Sequence, residues 1–175
     1  MKLDFSNINI LVVGDFMLDS FILGSSHRVS QEAPVPVVLE KARSRVLGGA
    51  GNVINNLHSL GCNVFPSGVL GNDNAGRLIM DMLTHINVDT LGMIVDPVHI
   101  STKKERIFID EVPVLRLDKE IKIDINKYSD AIHNYCNSAL ENADIIIISD
   151  YNKGVVSKSM VSFLIEKAKE NNIKV

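Results

Sequence analysis

Residues 47–61 read Leu47-Gly48-Gly49-Ala50-Gly51-Asn52-Val53-Ile54-Asn55-Asn56-Leu57-His58-Ser59-Leu60-Gly61, a glycine-rich approach that runs into an amphipathic helix. Glycines let a backbone turn tightly and bring its N–H groups close to a ligand. The first turn of the helix that follows has donors without intrahelical partners. Such a place suits a polyhydroxylated or anionic small molecule. Val53, Ile54, Leu57 and Leu60 keep helical spacing, and Gly61 is a natural C-terminal stop. Asn52 falls near the helix start, where its amide either caps the backbone or reaches a ligand hydroxyl.

Other glycine motifs fit less well. A dinucleotide fingerprint would need a third glycine where Ile54 stands, and the run does not follow the first strand of the chain. A Walker A loop ends in Gly-Lys-Ser/Thr, and that string is absent. On this segment alone, glycines that merely turn a corner into a packed helix remain an alternative.

With 175 residues, 46% of them hydrophobic, the chain is long enough for one sizeable core, so it reads as one domain or part of one. A formal net charge of -3 argues against a nucleic-acid or membrane-surface role driven by bulk charge; any anion site must be local. Residues 1–9 lack the pattern of a signal peptide, and no stretch approaches the ~20 apolar residues of a membrane span. The reading is a cytoplasmic protein. Cys62 and Cys136 have core-like neighbours and read as free buried thiols, and the histidines show no metal-ligand spacing.

Residues 8–13 form a short apolar run that stops at Gly14-Asp15, which predicts a buried first strand. Residues 20–23, 35–39 and 64–70 are also strand-like, with Pro34 and Pro36 confining their segment to an edge or an excursion. Ala75, Leu78, Ile79, Met82, Leu83 and Ile86 predict a surface helix capped by Asp73 or Asn74. Short strands at 91–95, 104–109 and 114–117 follow; with those at 20–45 they suggest a small lid sheet outside the main one. Tyr128, Ile132, Tyr135, Cys136 and Ala139 then share a helical face, residues 145–148 are continuously apolar, and Met160, Val161, Leu164, Ile165 and Ala168 return to helical spacing. Helix, buried strand, helix is the grammar of a parallel sheet covered on both faces. Ile173-Lys174-Val175 opens like another strand, so the sequence reads as truncated.

Four further strings accompany the glycines: Gly14-Asp15-Phe16-Met17-Leu18-Asp19, Ser30-Gln31-Glu32-Ala33-Pro34-Val35-Pro36-Val37, Arg106 with Arg116-Leu117-Asp118, and Ser149-Asp150-Tyr151-Asn152-Lys153-Gly154. In this order they resemble the N-terminal half of the ribokinase-like (PfkB) carbohydrate kinases. Within that family the chain is most similar to heptose 7-phosphate kinase modules, which are often fused to an adenylyltransferase and serve ADP-heptose synthesis for lipopolysaccharide. The resemblance implies an α/β, ribokinase-like (Rossmann-like) three-layer sandwich with a β-sheet lid, ATP and Mg2+ as cofactors, and a homodimer formed through the lid strands.

By the same resemblance Asp19 would bind sugar hydroxyls, with Asp15 beside it at the carboxyl end of the first strand. Gly48, Gly49 and Asn52 would form the sugar-contacting turn. Arg106, Arg116 and Lys153, with Lys104 on the same strand-like segment as Arg106, would face phosphate, for which a guanidinium fork is well shaped. Asp15 also reads as a loop cap, each basic residue as a solvated charge, and Glu32 as a residue that shapes the lid. Phosphoryl transfer also needs a base near the attacking oxygen, which in the family belongs to a Gly-Ala-Gly-Asp motif in the C-terminal half. That string is absent, so the chain is expected to bind part of a sugar phosphate without turnover. Two alternatives stay open: a kinase of this family acting on another sugar or nucleoside, and a non-catalytic sugar-binding or dimerisation module.

Overall fold

The run Ile10-Leu11-Val12-Val13 is apolar without alternation because both faces of its strand are covered. In the computed structural model, which describes residues 5–175, it lies in β1 (Asn9–Gly14). The first four residues of the N-terminal stretch lie outside the described residues. Ile10 and Val12 enter one core with Ile54, Ile79 and Leu83, whereas Leu11 and Val13 enter a second with Ile132, Ile146 and Leu164. Successive strand side chains point to opposite faces, so one strand feeds two cores. The layers are helix, sheet, helix.

Around β1 the chain forms β2 (Phe16–Ser25), β3 (Leu39–Gly49), α1 (Ala50–Ser59), β4 (Asn63–Gly71), α2 (Asn74–His85) and β5 (Met93–Asp96). It continues through β6 (Thr102–Ile109), β7 (Val112–Lys119), a 3-10 turn (Ile125–Lys127), α3 (Ser129–Leu140), β8 (Ile145–Ser149) and α4 (Lys158–Glu170). The main sheet is parallel in the order β5-β4-β1-β8. From β1 the strands proceed first toward β4 and β5, then on the other side to β8. The order therefore reverses at β1, and ligands of open α/β sheets bind beyond strand ends at such a place. Near the last residue, Lys174 bridges Ile145 in parallel, as expected for the opening of another strand.

The lid is a second sheet in the order β3-β2-β6-β7. Two expectations change here. The strand expected at 91–95 is β5, which pairs with β4 at the edge of the main sheet and not with the lid. The strand expected at 35–39 instead begins at Leu39 and runs to Gly49, while the proline-flanked segment makes only the isolated bridge Val29 to Pro36. Prolines cannot donate to a ladder, and β3 keeps to the residues free of them.

The helices stop and start where their caps stand. Asp73 accepts a hydrogen bond from Gly76 N at 2.8 Å at the start of α2, and Ser157 accepts from Met160 N at 3.1 Å at the start of α4. Cys62 and Cys136 are buried free thiols. Among the described residues no helix is long and apolar enough to cross a membrane.

Candidate functional site

Strand register assembles the site. β2 and β6 run parallel with Asp19 opposite Lys104 and Phe21 opposite Arg106. The antiparallel pair β6–β7 then sets Asp118 opposite Lys104 and Arg116 opposite Arg106. On the other side of β2, β3 places Val46 opposite Asp19 and Gly48 opposite Met17. Because strand side chains alternate, Asp19, Phe21, Lys104, Arg106, Arg116 and Asp118 share one face of the lid sheet.

At this face opens a cleft of about 330 Å³ in which Asp19, Gly48, Gly49, Asn52, Lys104 and Arg106 meet. Met17, Val46, Leu47 and Tyr151 complete its walls. Arg106 Nη1 donates to Asp19 Oδ1 at 2.5 Å, and the guanidinium lies 5.3 Å from the centroid of the Phe21 ring. Carboxylate on one side and π face on the other hold the cation in place. Lys104 Nζ stands 3.7 Å from Asp118 Oδ2, and Arg116 Nε donates to Asp118 Oδ1 at 3.0 Å. Three cations thus face two carboxylates.

Gly48 and Gly49 have different reasons to be glycine. A Cβ on Gly48 would lie 2.3 Å from Asp19 Oδ2, so the bare backbone makes room for that carboxylate. Gly49 has φ +58 and precedes α1 without a side-chain cap, leaving the helix start open toward the cleft. A larger and more apolar hollow of about 600 Å³ lies against Val46, Leu47 and Asn52, between α1 and α2. It contains Asp81 and His85 but none of the lid cations, so the chemistry belongs to the smaller cleft.

Three expected site residues stand elsewhere. Asp15 is 1% exposed, and its carboxylate accepts from Tyr151 N and Lys153 N at 2.9 Å and from Val155 N at 3.0 Å. It holds the loop after β8, as its reading as a loop cap expects, and it stands outside the lining of the cleft. Lys153 does not line the cleft; its ammonium pairs with Glu120 Oε2 at 2.8 Å. Arg116 is on the correct face but 58% exposed and beyond the cleft lining. Glu32 sits in the exposed segment 28–37 with its N–H on Ser30 Oγ, apart from the cleft.

Sequence reasoning did not name Phe21, and it quoted Asp118 and Tyr151 within the family strings without giving either a role. Phe21 and Asp118 were within reach of it, since period-two spacing from Asp19 and Arg116 puts them on the same faces. Tyr151 had only its place in the string 149–154, with no strand spacing to say which way it faces. On the opposite face of the lid, Glu105 gathers Ser20 Oγ at 3.2 Å, Lys103 Nζ at 3.0 Å and Arg43 Nη1 at 2.6 Å. Burial by itself would raise this carboxyl, but the contacts to Lys103, Ser20 and Arg43 outweigh burial and hold it below the usual carboxylate range.

The chain matches the pfkB family of carbohydrate kinases over residues 7–175. It is 42% identical over 167 residues to "Bifunctional protein HldE" of Helicobacter hepaticus, covering 93% of this chain and 34% of that protein. With the HldE protein of Desulfatibacillum aliphaticivorans the identity is 41% over 161 residues, covering 91% of this chain and 33% of that protein. The chain thus spans about a third of the length of these curated relatives. Among solved structures, a carbohydrate kinase from Agrobacterium tumefaciens superposes with a TM-score of 0.67 at 17% identity, over 95% of this chain and 52% of that one. Arabidopsis thaliana ribokinase complexed with ribose and ATP gives 0.66 at 13%, over 97% and 52%. These likenesses show the ribokinase-like fold, and with the match over residues 7–175 they establish that the chain belongs to the pfkB family of carbohydrate kinases.

Proposed function

We propose that the chain is the sugar-binding part of a kinase that transfers the ATP γ-phosphoryl to the C1 hydroxyl of D-glycero-D-manno-heptose 7-phosphate, in cytoplasmic ADP-heptose synthesis for lipopolysaccharide. The observation that carries this reading is the joint cleft of Asp19, Gly48, Asn52, Lys104 and Arg106 in a chain 41–42% identical to bifunctional HldE proteins. In this reading a fused or separate adenylyltransferase acts next. Asp19 accepts hydrogen bonds from sugar hydroxyls, and Asn52 with the open start of α1 supplies donors and an acceptor for the others. Lys104 and Arg106 receive the phosphate. Arg106 and Arg116 stand directly opposite each other on neighbouring strands, with Asp19 and Asp118 offsetting their charges, and a phosphate would add to that compensation.

Nucleotide and metal are a different matter. Asp15 accepts from three backbone donors, Asp19 is paired with Arg106, and no group of three His, Cys, Asp or Glu able to hold a metal occurs among the described residues. Asp15 and Asp19 are thus engaged elsewhere, although Mg2+ needs only one or two carboxylates beside nucleotide phosphates. With Gly-Ala-Gly-Asp absent from the sequence, ATP, metal and base belong in this reading to kinase sequence beyond this chain, and the chain binds without turnover.

Calorimetry with heptose 7-phosphate and with the unphosphorylated heptose tests the assignment. Arg106→Ala is expected to weaken the phosphorylated sugar at least ~10-fold while affecting the other little. Equal losses for both sugars, or no preference in the unchanged chain, would argue for another sugar or nucleoside kinase of the family. A homodimer through the lid draws support from exposed Leu115 and Leu117 on its outer face beside Ile107. Sedimentation of the chain and of Leu115→Glu reads that part directly.

A further inference from the structure

Asp15 is buried, and its N–H, its carbonyl and both of its carboxylate oxygens are hydrogen-bonded. Its N–H donates to Ser149 O at 3.1 Å, and its carbonyl accepts from Ala50 N, the first residue of α1, at 2.9 Å. Its carboxylate takes the N–H groups of Tyr151, Lys153 and Val155. One residue thus ties together the ends of β1 and β8, the start of α1 and the loop 150–155. Of the residues that line the cleft, only Tyr151 comes from that loop.

We infer that Tyr151 is a sugar-contacting wall of the cleft and that Asp15 is the positioning residue that seats it. This rests on the sugar-kinase reading above. Lys153 has further anchors, since its carbonyl accepts from Ile123 N at 2.7 Å and its ammonium pairs with Glu120. Tyr151 is 49% exposed, and its N–H is held by Asp15 Oδ2. Its ring offers an apolar face for the C–H side of a sugar and its phenol a hydrogen bond for a hydroxyl. A carboxylate suits the hub because both of its oxygens accept; an amide would turn an NH2 group toward at least one of the three N–H donors.

The test combines amide hydrogen exchange with binding of heptose 7-phosphate to the 175-residue chain. In the unchanged chain the amides of Tyr151, Lys153 and Val155 are expected to be protected, and Asp15→Asn should speed exchange at Tyr151 at least ~10-fold more than at the amides of β1. Tyr151→Ala and Asp15→Asn should each weaken binding, and the double variant should bind about as weakly as Tyr151→Ala alone, because both remove one contact. Tyr151→Phe should recover most of the affinity that Tyr151→Ala loses. A general loss of structure would not give that pattern. Unprotected amides in the unchanged chain overturn the inference even if Asp15→Asn fails to fold, and so do additive losses or a Tyr151→Ala variant that binds normally. If the unchanged chain takes up no sugar phosphate, the proposed function fails by that result, and the exchange data still decide whether Asp15 seats the loop.

Discussion

Gly48 and Gly49 are neighbours whose substitution should fail in different ways. A Cβ on Gly48 meets the Asp19 carboxylate, which swings aside about its own torsions; a Cβ on Gly49 stands 2.2 Å from the Asp15 carbonyl, which is backbone, and carries φ +58 as well. Gly48→Ala is therefore expected to cost affinity, about 10-fold or more for the sugar phosphate, through displacement of Asp19 from Arg106, with about 1 kcal/mol or less of stability. Gly49→Ala should instead cost about 1–3 kcal/mol of stability through strain that the site cannot relax. Urea denaturation and calorimetry on both variants separate the two outcomes. Equal stability losses would remove the distinction drawn between them.

At the scale of the element, α2 depends on the residue that caps its start, Asp73. Asp73 holds Gly76 N with one oxygen and Ser101 N, at 3.2 Å, with the other, so it joins the helix start to the approach of β6. Asp73→Ala is expected to destabilise the chain by about 1–2 kcal/mol at pH 7, seen as a lower denaturation midpoint. Burial would raise this carboxyl, but the donors from Gly76 and Ser101 prevail and its pKa is lowered from 3.8. A depressed folded pKa means that the contribution is complete above 3.8 and disappears as pH falls through the lower folded value. The stability gap between the chain and Asp73→Ala should accordingly narrow below pH 3.8. A gap that stays constant down to pH 2 would show that the charge plays no part.

Across the whole molecule, two cores share β1, so opening either one exposes the other's central strand. Cys136 lies in the second core, where burial pushes its thiol up to about 12. The thiolate that reacts with alkylating reagents is therefore scarce in the folded chain at pH 8. Labelling of Cys136 should follow global unfolding, rising with urea in step with the loss of helical signal. Fast labelling in the absence of denaturant would indicate that the layer of α3 and α4 opens separately.

Hydrophobic period and turn chemistry sufficed for β1, β8, α2 and α4, because each buries a face whose spacing is written locally. They did not suffice for β3: residues 40–45, Glu-Lys-Ala-Arg-Ser-Arg, carry no apolar alternation, and their strand exists through pairing with β2. The family motifs placed Asp19, Gly48, Gly49, Asn52, Lys104 and Arg106, which the lid register then brings into one cleft. The resemblance gave the sugar hydroxyls to Asp19 but left Asp15, four residues before it, between a ligand contact and a loop cap. The fold decides between them, since the donors that occupy Asp15 come from residues at least 136 positions away, while the Arg106 partner of Asp19 leaves that carboxylate at an open cleft. Which polar groups remain free to meet a ligand depends on contacts between distant segments, and those exist only once the chain has folded.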